Sequence, residues 1–132
     1  MIGQDRITAT PLAMAGVAGA VADGRWRRPR LLADDRKQAG PELPSSEVAT
    51  LRELMRSVVT RGSGTALANV GGGEIAGKSG TAEFGDAQPP ETHAWFIAFR
   101  GDVALAVLVE KGRSGGSVAA PLAARFFSVL EG

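Results

Sequence analysis

One short stretch, GKSGTAEFG at residues 77–85, groups the side chains best suited to chemistry in this 132-residue chain. A cation, Lys78, lies between glycines and next to two hydroxyl side chains, Ser79 and Thr81. A fixed positive charge suits a carboxylate ligand. The neighbouring small residues leave the backbone uncovered, so that an extended ligand could pair with it; they are Gly77, Gly80 and Ala82. The stretch therefore predicts either a carboxylate-binding strand or a glycine-containing edge strand with polar residues on its solvent face.

The alternation of side chains along a strand bears on this choice. Successive side chains of a strand point to opposite faces. Ser79 and Thr81 should therefore lie on one face and Lys78 on the other, unless the strand twists or bulges. On the residues alone, both interpretations stay open.

The composition limits other kinds of chemistry. The chain has no cysteine, which excludes disulfides and cysteine-based catalysis or zinc sites. Its one histidine, His93, is expected to be a partly exposed strand residue near a loop rather than a catalytic base. One histidine and scattered carboxylates predict no metal site, and no cofactor is expected. The net charge of +1 gives no indication of nucleic-acid binding.

Two helices are predicted in the first half of the chain. The segment TATPLAMAGVAGAVADG predicts a helix with Thr10 as N-cap, Pro11 in the first helical position and Gly24 at its end. SSEVATLRELMRSVVTRG predicts a second helix capped by Ser45 or Ser46. Its apolar residues recur at helical spacing and are expected to form the buried stripe; they are Leu51, Leu54, Met55, Val58 and Val59.

The segment between these helices is predicted to be a loop with a short strand at Arg30 to Ala33. It carries a basic cluster, which Asp34 and Asp35 follow at once. This mixture of charges is typical of a solvated face rather than a binding patch. The cluster consists of Arg25, Arg27, Arg28 and Arg30.

The second half of the chain changes to the spacing of strands. EIAGKSGTAEF predicts one strand, and THAWFIAFR and DVALAVLVEK predict an antiparallel hairpin turning at Gly101. APLAARFFSVLEG predicts a closing helix with Pro121 near its start. Its expected buried stripe consists of Leu122, Phe126, Val129 and Leu130. The fold class is therefore α+β, with three antiparallel strands packed against helices.

Several of these segments carry a family resemblance. GKSGTAE resembles the third motif, K-[ST]-G, of penicillin-binding proteins and serine β-lactamases. IGQDRITATPLAMAGVAGAVADG resembles the stretch that follows the second motif in class B penicillin-binding proteins, and LRELMRSVVTRGSGTA resembles the next helix. HAWFIAF and VALAVLVE resemble the last two strands. The resemblance covers essentially residues 1–132 in order, and it implies the C-terminal portion of the β-lactamase/transpeptidase-like fold.

The resemblance implies a serine-type D,D-transpeptidase, which crosslinks peptidoglycan stem peptides and binds β-lactams. A serine would attack the peptide D-Ala-D-Ala, or a β-lactam, and form an acyl-enzyme. Lys78 would match the motif lysine, which shapes the positive potential of the site and helps proton traffic. Thr81 would offer its backbone N–H to the oxyanion hole.

The resemblance also implies a substrate-binding role for the rest of the strand. Ser79 and Thr81 would match the hydroxyls that hold the substrate carboxylate, and Gly80 would leave room for the substrate. Ala82 and Glu83 would continue the strand along the ligand. In the family this strand is twisted enough that the lysine and the hydroxyls all reach the cleft.

Two of the three family motifs are missing from these residues. No serine lies three residues before a lysine, as S-x-x-K requires, and Leu67 lies two residues before Asn69, the only asparagine, where S-x-N requires serine. We therefore expect residues 1–132 to be the C-terminal part of a transpeptidase domain that is inactive alone and needs its N-terminal portion, as a second chain or a retained fragment. The last strand, Val103 to Glu110, is expected to leave an unpaired edge that seeks a partner or self-associates.

The resemblance places such a protein at the extracytoplasmic face of the bacterial cell membrane, with its anchor upstream of these residues. Alternatives stay open at this stage. A D,D-carboxypeptidase or serine β-lactamase and a β-lactam-sensing domain share the K-[ST]-G motif. A stand-alone, non-catalytic domain could also use the Lys78 strand to bind peptide carboxylates.

Overall fold

The structure is a computed structural model that describes residues 8–130. Its helices and strands are α1 (Pro11–Asp23), β1 (Arg25–Arg27), β2 (Ala39–Glu42), α2 (Ser45–Arg61), β3 (Ala76–Phe84), β4 (Glu91–Arg100), β5 (Val103–Val109) and α3 (Ala120–Val129). A 3-10 turn covers Thr65–Leu67, and a π-helical turn covers Gly115–Ala119. Within residues 8–130, no helix is long and apolar enough to cross a membrane. The predicted α+β class is confirmed.

Helix α1 begins and ends as its sequence predicts. The Thr10 hydroxyl accepts a hydrogen bond from the Ala13 N–H at 3.2 Å, and Pro11 occupies the first helical position. Gly24 closes the helix in the left-handed conformation, at φ 77°. Gly19 brings the helix close to β5, since a Cβ at that position would lie 3.6 Å from the Ala104 Cβ. The first part of the family-like segment, residues 1–7, lies outside the described residues.

The segment between α1 and α2 differs from its prediction. The short strand expected at Arg30 to Ala33 is wrong, because the Asp35 carboxylate accepts the Leu31 and Leu32 N–H groups and bends the chain there. The strands that do form, β1 and β2, pair antiparallel to each other. Arg25 forms an ion pair with Glu42 across them.

Helix α2 joins α1 to the sheet. Arg52 donates hydrogen bonds to the Val21 and Ala22 carbonyls at the end of α1, at 3.0 and 2.6 Å. Arg56 donates to the Ile75 carbonyl at 2.9 Å, just before β3. These contacts hold α2 against the end of α1 and the start of β3.

Two details predicted for α2 need correction. Pro44 occupies the N-cap position, and no side chain caps the helix, so the predicted cap by Ser45 or Ser46 is wrong. The predicted stripe is confirmed only in part: Leu51 and Leu54 are 42% and 58% exposed. The buried residues of the helix are Val48, Met55 and Val59.

The three long strands form one antiparallel sheet in the order β3-β4-β5, with the predicted hairpin turning at Gly101 (φ 56°). Both faces of β4 are covered, but unequally. Ala94, Phe96 and Ala98 are fully buried in the larger core cluster with α3, whereas Ile97 and Phe99 are half-buried beside Val21 of α1. We call these the α3 face and the open face. Within residues 8–130, β3 and β5 are the edge strands.

The predicted buried stripe of α3 is wrong. Leu122, Phe126, Val129 and Leu130 are 47%, 46%, 72% and 50% exposed. The helix instead presents small side chains and one aromatic ring to the sheet, because alanines let the helix backbone approach the strands closely. The residues buried there are Ala120, Ala123, Ala124 and Phe127.

Candidate functional site: the free edge of strand β3

The candidate residues lie on a regular edge strand. The register between β3 and β4 is continuous from the pair Ala76 and Phe99 to the pair Phe84 and Glu91. No bulge interrupts the alternation of side chains. Lys78 lies opposite Ile97 on the open face, and Ser79 lies opposite Phe96 on the α3 face. The lysine and the hydroxyls are therefore on opposite faces, and the free edge of β3 is the place that both border.

Lys78 is exposed on the open face. Its Nζ donates a hydrogen bond to the carbonyl oxygen of Ser79 at 2.6 Å, and it has no ion-pair partner among the described residues. A shallow pocket of about 250 Å³ lies beside it. Its other lining residues are Ala9, Met14, Ser79, Gly80, Trp95 and Ile97. Lys78 thus places its Nζ at the strand edge, next to apolar surface that a ligand could cover.

Ser79 is held on the α3 face by a second serine. Its Oγ lies 2.7 Å from the Oγ of Ser63, in the turn that follows α2. Sequence reasoning missed Ser63, because the glycine-rich stretch GSGTALANVGGG (residues 62–73) reads as a flexible connection. The available signal was a serine between two glycines, Gly62 and Gly64, directly after a helix.

Thr81 contacts the loop between β5 and α3. The Gly115 N–H donates to the Thr81 Oγ1 at 3.4 Å. A Cβ at Gly115 would lie 2.2 Å from the Trp95 carbonyl oxygen and 2.6 Å from that of Gly80, so only glycine fits there. Thr92 fixes the start of the same loop by donating to the Gly112 carbonyl at 2.5 Å. This loop therefore lies directly on the backbone of β3 and β4.

The remaining candidate residues continue along the strand. A Cβ at Gly80 would lie 3.2 Å from the Trp95 Cβ, which is a tight contact. Ala82 is half-buried and Glu83 is exposed. Both lie on the edge strand beyond Thr81.

His93 is a partly exposed strand residue, which confirms its prediction. Its ring stacks on Phe84, with ring centroids 4.0 Å apart. Its Nδ1 accepts the Lys111 N–H at 3.3 Å. The contact with Lys111 holds the imidazole towards the turn after β5. In the sheet, His93 lies opposite Ala82 of β3 and not opposite Lys78.

The fold and this strand define a class of protein. A cation and two hydroxyls lie on the free edge of an antiparallel sheet that is covered by helices on both faces. The family model of the penicillin binding protein transpeptidase domain matches residues 1–128. The chain belongs to this family, which confirms the resemblance found in the sequence.

Curated relatives extend the match. The chain is 38% identical to the peptidoglycan D,D-transpeptidase PbpA of Mycolicibacterium smegmatis and 37% identical to that of Mycobacterium tuberculosis. Each alignment covers 92% of this chain and 29% of the relative. The chain therefore spans less than a third of the length of the curated relatives it matches.

Solved structures confirm the fold. The chain is similar to Pseudomonas aeruginosa PBP2 in complex with WCK 5153, with a TM-score of 0.78 at 26% identity. It is also similar to Helicobacter pylori PBP2 in its complex with MreC, with a TM-score of 0.81 at 26% identity. The two alignments cover 98% of this chain and 31% and 25% of those chains.

Proposed function

We propose that this chain is the C-terminal part of a peptidoglycan D,D-transpeptidase and that β3 is its substrate strand. The observation that carries the proposal is the placement of Lys78, Ser79 and Thr81 along the free edge of β3, in a chain of the penicillin-binding transpeptidase family. The D,D-transpeptidases named among its relatives support the same reaction.

The substrate would bind as an added strand. An extended D-Ala-D-Ala stem peptide pairs with an exposed sheet edge through main-chain hydrogen bonds. Its terminal carboxylate is received by the hydroxyls of Ser79 and Thr81 while the charge of Lys78 attracts it from the open face. Gly80 leaves room between them, and Ala82 and Glu83 extend along the peptide. A β-lactam carboxylate would occupy the same position.

The reaction also needs groups that residues 1–132 do not contain. The nucleophilic serine and its lysine belong to the S-x-x-K motif, which we place in an N-terminal portion of the same protein. Attack by that serine releases the terminal D-Ala and leaves an acyl-enzyme, which an amine of a second stem peptide then attacks. The Thr81 N–H contributes to the oxyanion hole, where one such donor lowers the barrier by roughly 3 kcal/mol. Lys78 supports the proton transfers.

The location follows from the substrate. Peptidoglycan lies outside the cytoplasm, so we place this domain at the extracytoplasmic face of the bacterial cell membrane, held by an anchor in the N-terminal portion. The N-terminal portion is also its first expected partner, because it would supply the nucleophile. Labelling of an intact cell with a membrane-impermeant reagent tests this location.

Intact-mass analysis with a labelled penicillin tests the proposed function. The chain alone, the chain with its N-terminal portion and the full-length protein are incubated with the reagent. We expect no adduct on the chain alone and one adduct, on the N-terminal portion, when both are present. An adduct on the chain alone would show that a serine within residues 1–132 is the nucleophile, and no adduct on the full-length protein would contradict the proposal.

The products separate the alternatives. With a D-Ala-D-Ala peptide and an acceptor amine, a transpeptidase gives a crosslinked product, whereas a D,D-carboxypeptidase gives only free D-Ala. A β-lactamase releases hydrolysed penicillin, and a sensor keeps the adduct without turning over peptide. A stand-alone binding domain would bind the peptide without its N-terminal portion, which titration calorimetry measures directly.

A further inference from the structure

We propose that Ser63 is a positioning residue that orients the Ser79 hydroxyl towards the carboxylate of the ligand. This inference rests on the proposed function and adds a specificity determinant to the same site. The direct observation is the 2.7 Å distance between the two hydroxyl oxygens. Ser63 lies outside the K-S-G-T stretch and touches the proposed substrate only through Ser79.

The turn that carries Ser63 is fixed from the α2 side. The Gly62 and Gly64 N–H groups both donate to the Val58 carbonyl, at 3.1 and 2.9 Å. A Cβ at Gly64 would lie 3.0 Å from the Phe96 Cζ, so the turn lies closely against a fully buried ring. The backbone of Ser63 is therefore held by the end of a helix and by the core.

The opposite side of Ser63 is fixed by the loop between β5 and α3. A Cβ at Gly116 would lie 2.8 Å from the Ser63 carbonyl oxygen and 2.9 Å from the Ser63 Cβ. The adjacent Gly115 lies on the backbone of Gly80 and donates to Thr81. The pair Gly115 and Gly116 thus contacts both Ser63 and β3, the strand that carries Ser79.

The direction of the hydroxyl protons explains the function of this contact. Each serine hydroxyl has one proton to donate and two lone pairs that accept. With a carboxylate at the edge of β3, Ser63 donates to the Ser79 Oγ, and the Ser79 proton then points to the carboxylate. Such a chain of hydrogen bonds polarises each member and strengthens the last bond. Without Ser63, the Ser79 hydroxyl loses this fixed orientation.

Acylation of the full-length protein tests the inference with two probes, benzylpenicillin and its neutral methyl ester. Ser63→Ala should slow acylation by benzylpenicillin about fivefold, the loss expected for one neutral hydrogen bond, and leave acylation by the ester unchanged. Ser63→Thr retains a hydroxyl and should restore the rate. In a Ser79→Ala background, Ser63→Ala should have no further effect.

A matched control is Ser128→Ala on α3, whose hydroxyl donates to the Ala124 carbonyl of its own helix, at 3.0 Å. It should leave both acylation rates and the melting temperature close to those of the wild type. Equal slowing of both probes by Ser63→Ala, or no slowing, would overturn the positioning role. If neither probe acylates the wild-type protein, the proposed function fails and the role of Ser63 fails with it.

Discussion

The two faces of the sheet around β3 hold their polar groups in different ways. On the α3 face, Ser79 and Thr81 contact fixed neighbours, Ser63 and Gly115, above fully buried side chains. On the open face, the Lys78 Nζ donates to the carbonyl of the next residue, Ser79. Hydrogen bonds weaken steeply with misalignment, whereas charge acts over a longer range. The hydroxyls of Ser79 and Thr81, whose direction matters, are therefore held by other elements of the fold, whereas Lys78, which acts by its charge, is not.

Replacement of Phe96 on the α3 face should have the largest effect. Phe96 is fully buried, so Phe96→Ala should lower the free energy of unfolding by about 3–5 kcal/mol. Trp95→Ala, on the half-buried open face, should lower it by only about 1–2 kcal/mol. Urea denaturation of both variants measures the difference. Equal losses would show that the two faces are equally well packed.

Removal of the charge from the open face should affect the rate and not the fold. Lys78→Gln replaces an exposed side chain and should change the unfolding free energy by less than about 0.5 kcal/mol. It should slow penicillin acylation of the full-length protein about a hundredfold, within the range for lost proton-transfer groups. Lys111→Gln, which removes an ion pair with Glu91 away from the site, is the control. A normal acylation rate for Lys78→Gln would remove this lysine from the mechanism.

A methyl group at Gly115 should push the loop between β5 and α3 away from the backbone of β3 and β4. Gly115→Ala forces a Cβ against two carbonyl oxygens and should cost about 1–3 kcal/mol of stability. Because the loop then moves away from Gly80, acylation should slow as well. Gly40→Ala, whose Cβ would make only ordinary contacts at 3.7 Å, should have little effect on either. Thermal melting and acylation kinetics are measured on both variants, and a normal acylation rate for Gly115→Ala would contradict the role given to this loop.

The smallest effect is expected at the exposed end of α1. The hydrogen bond from the Arg27 Nε, at 2.7 Å, holds the pKa of Asp23 below its ordinary value of 3.8, helped by the charges of Arg27, Arg25 and Arg52. Its contribution to stability is therefore complete above that ordinary pKa and is lost as the pH falls through the lower pKa of the folded state. The melting temperature of Asp23→Asn should be slightly below that of the wild type near neutral pH, and the gap should close in acid. A gap that is constant with pH would contradict the assignment.

Much of the fold was predictable because local rules determined it. Thr10, Pro11 and Gly24 marked the ends of α1, and Gly101 marked the turn of the hairpin. The motif K-S-G-T also led directly to β3. These features depend on backbone conformations and caps that a few neighbouring residues control.

The failures have a common cause in packing between distant elements. The large apolar residues of α3 fit helical spacing, but the sheet receives its alanines, because close approach favours small side chains. The pairing of β1 with β2 depends on contacts between residues such as Arg25 and Glu42, which are far apart in sequence. Ser63 was missed because its partner, Ser79, comes near only when α2 and β3 are packed together.

Because the register of β3 with β4 is unbroken, the face on which each site residue lies depends on whether its position along β3 is odd or even. Since adjacent residues face opposite sides, deleting one residue just before Lys78 would move the lysine to the α3 face and Ser79 to the open face. Deleting two would restore every side chain to its own side, one step further along the ladder. Length changes in this strand should therefore be tolerated in even numbers and not in odd ones, whereas the turn at residues 85–90 is free of that rule.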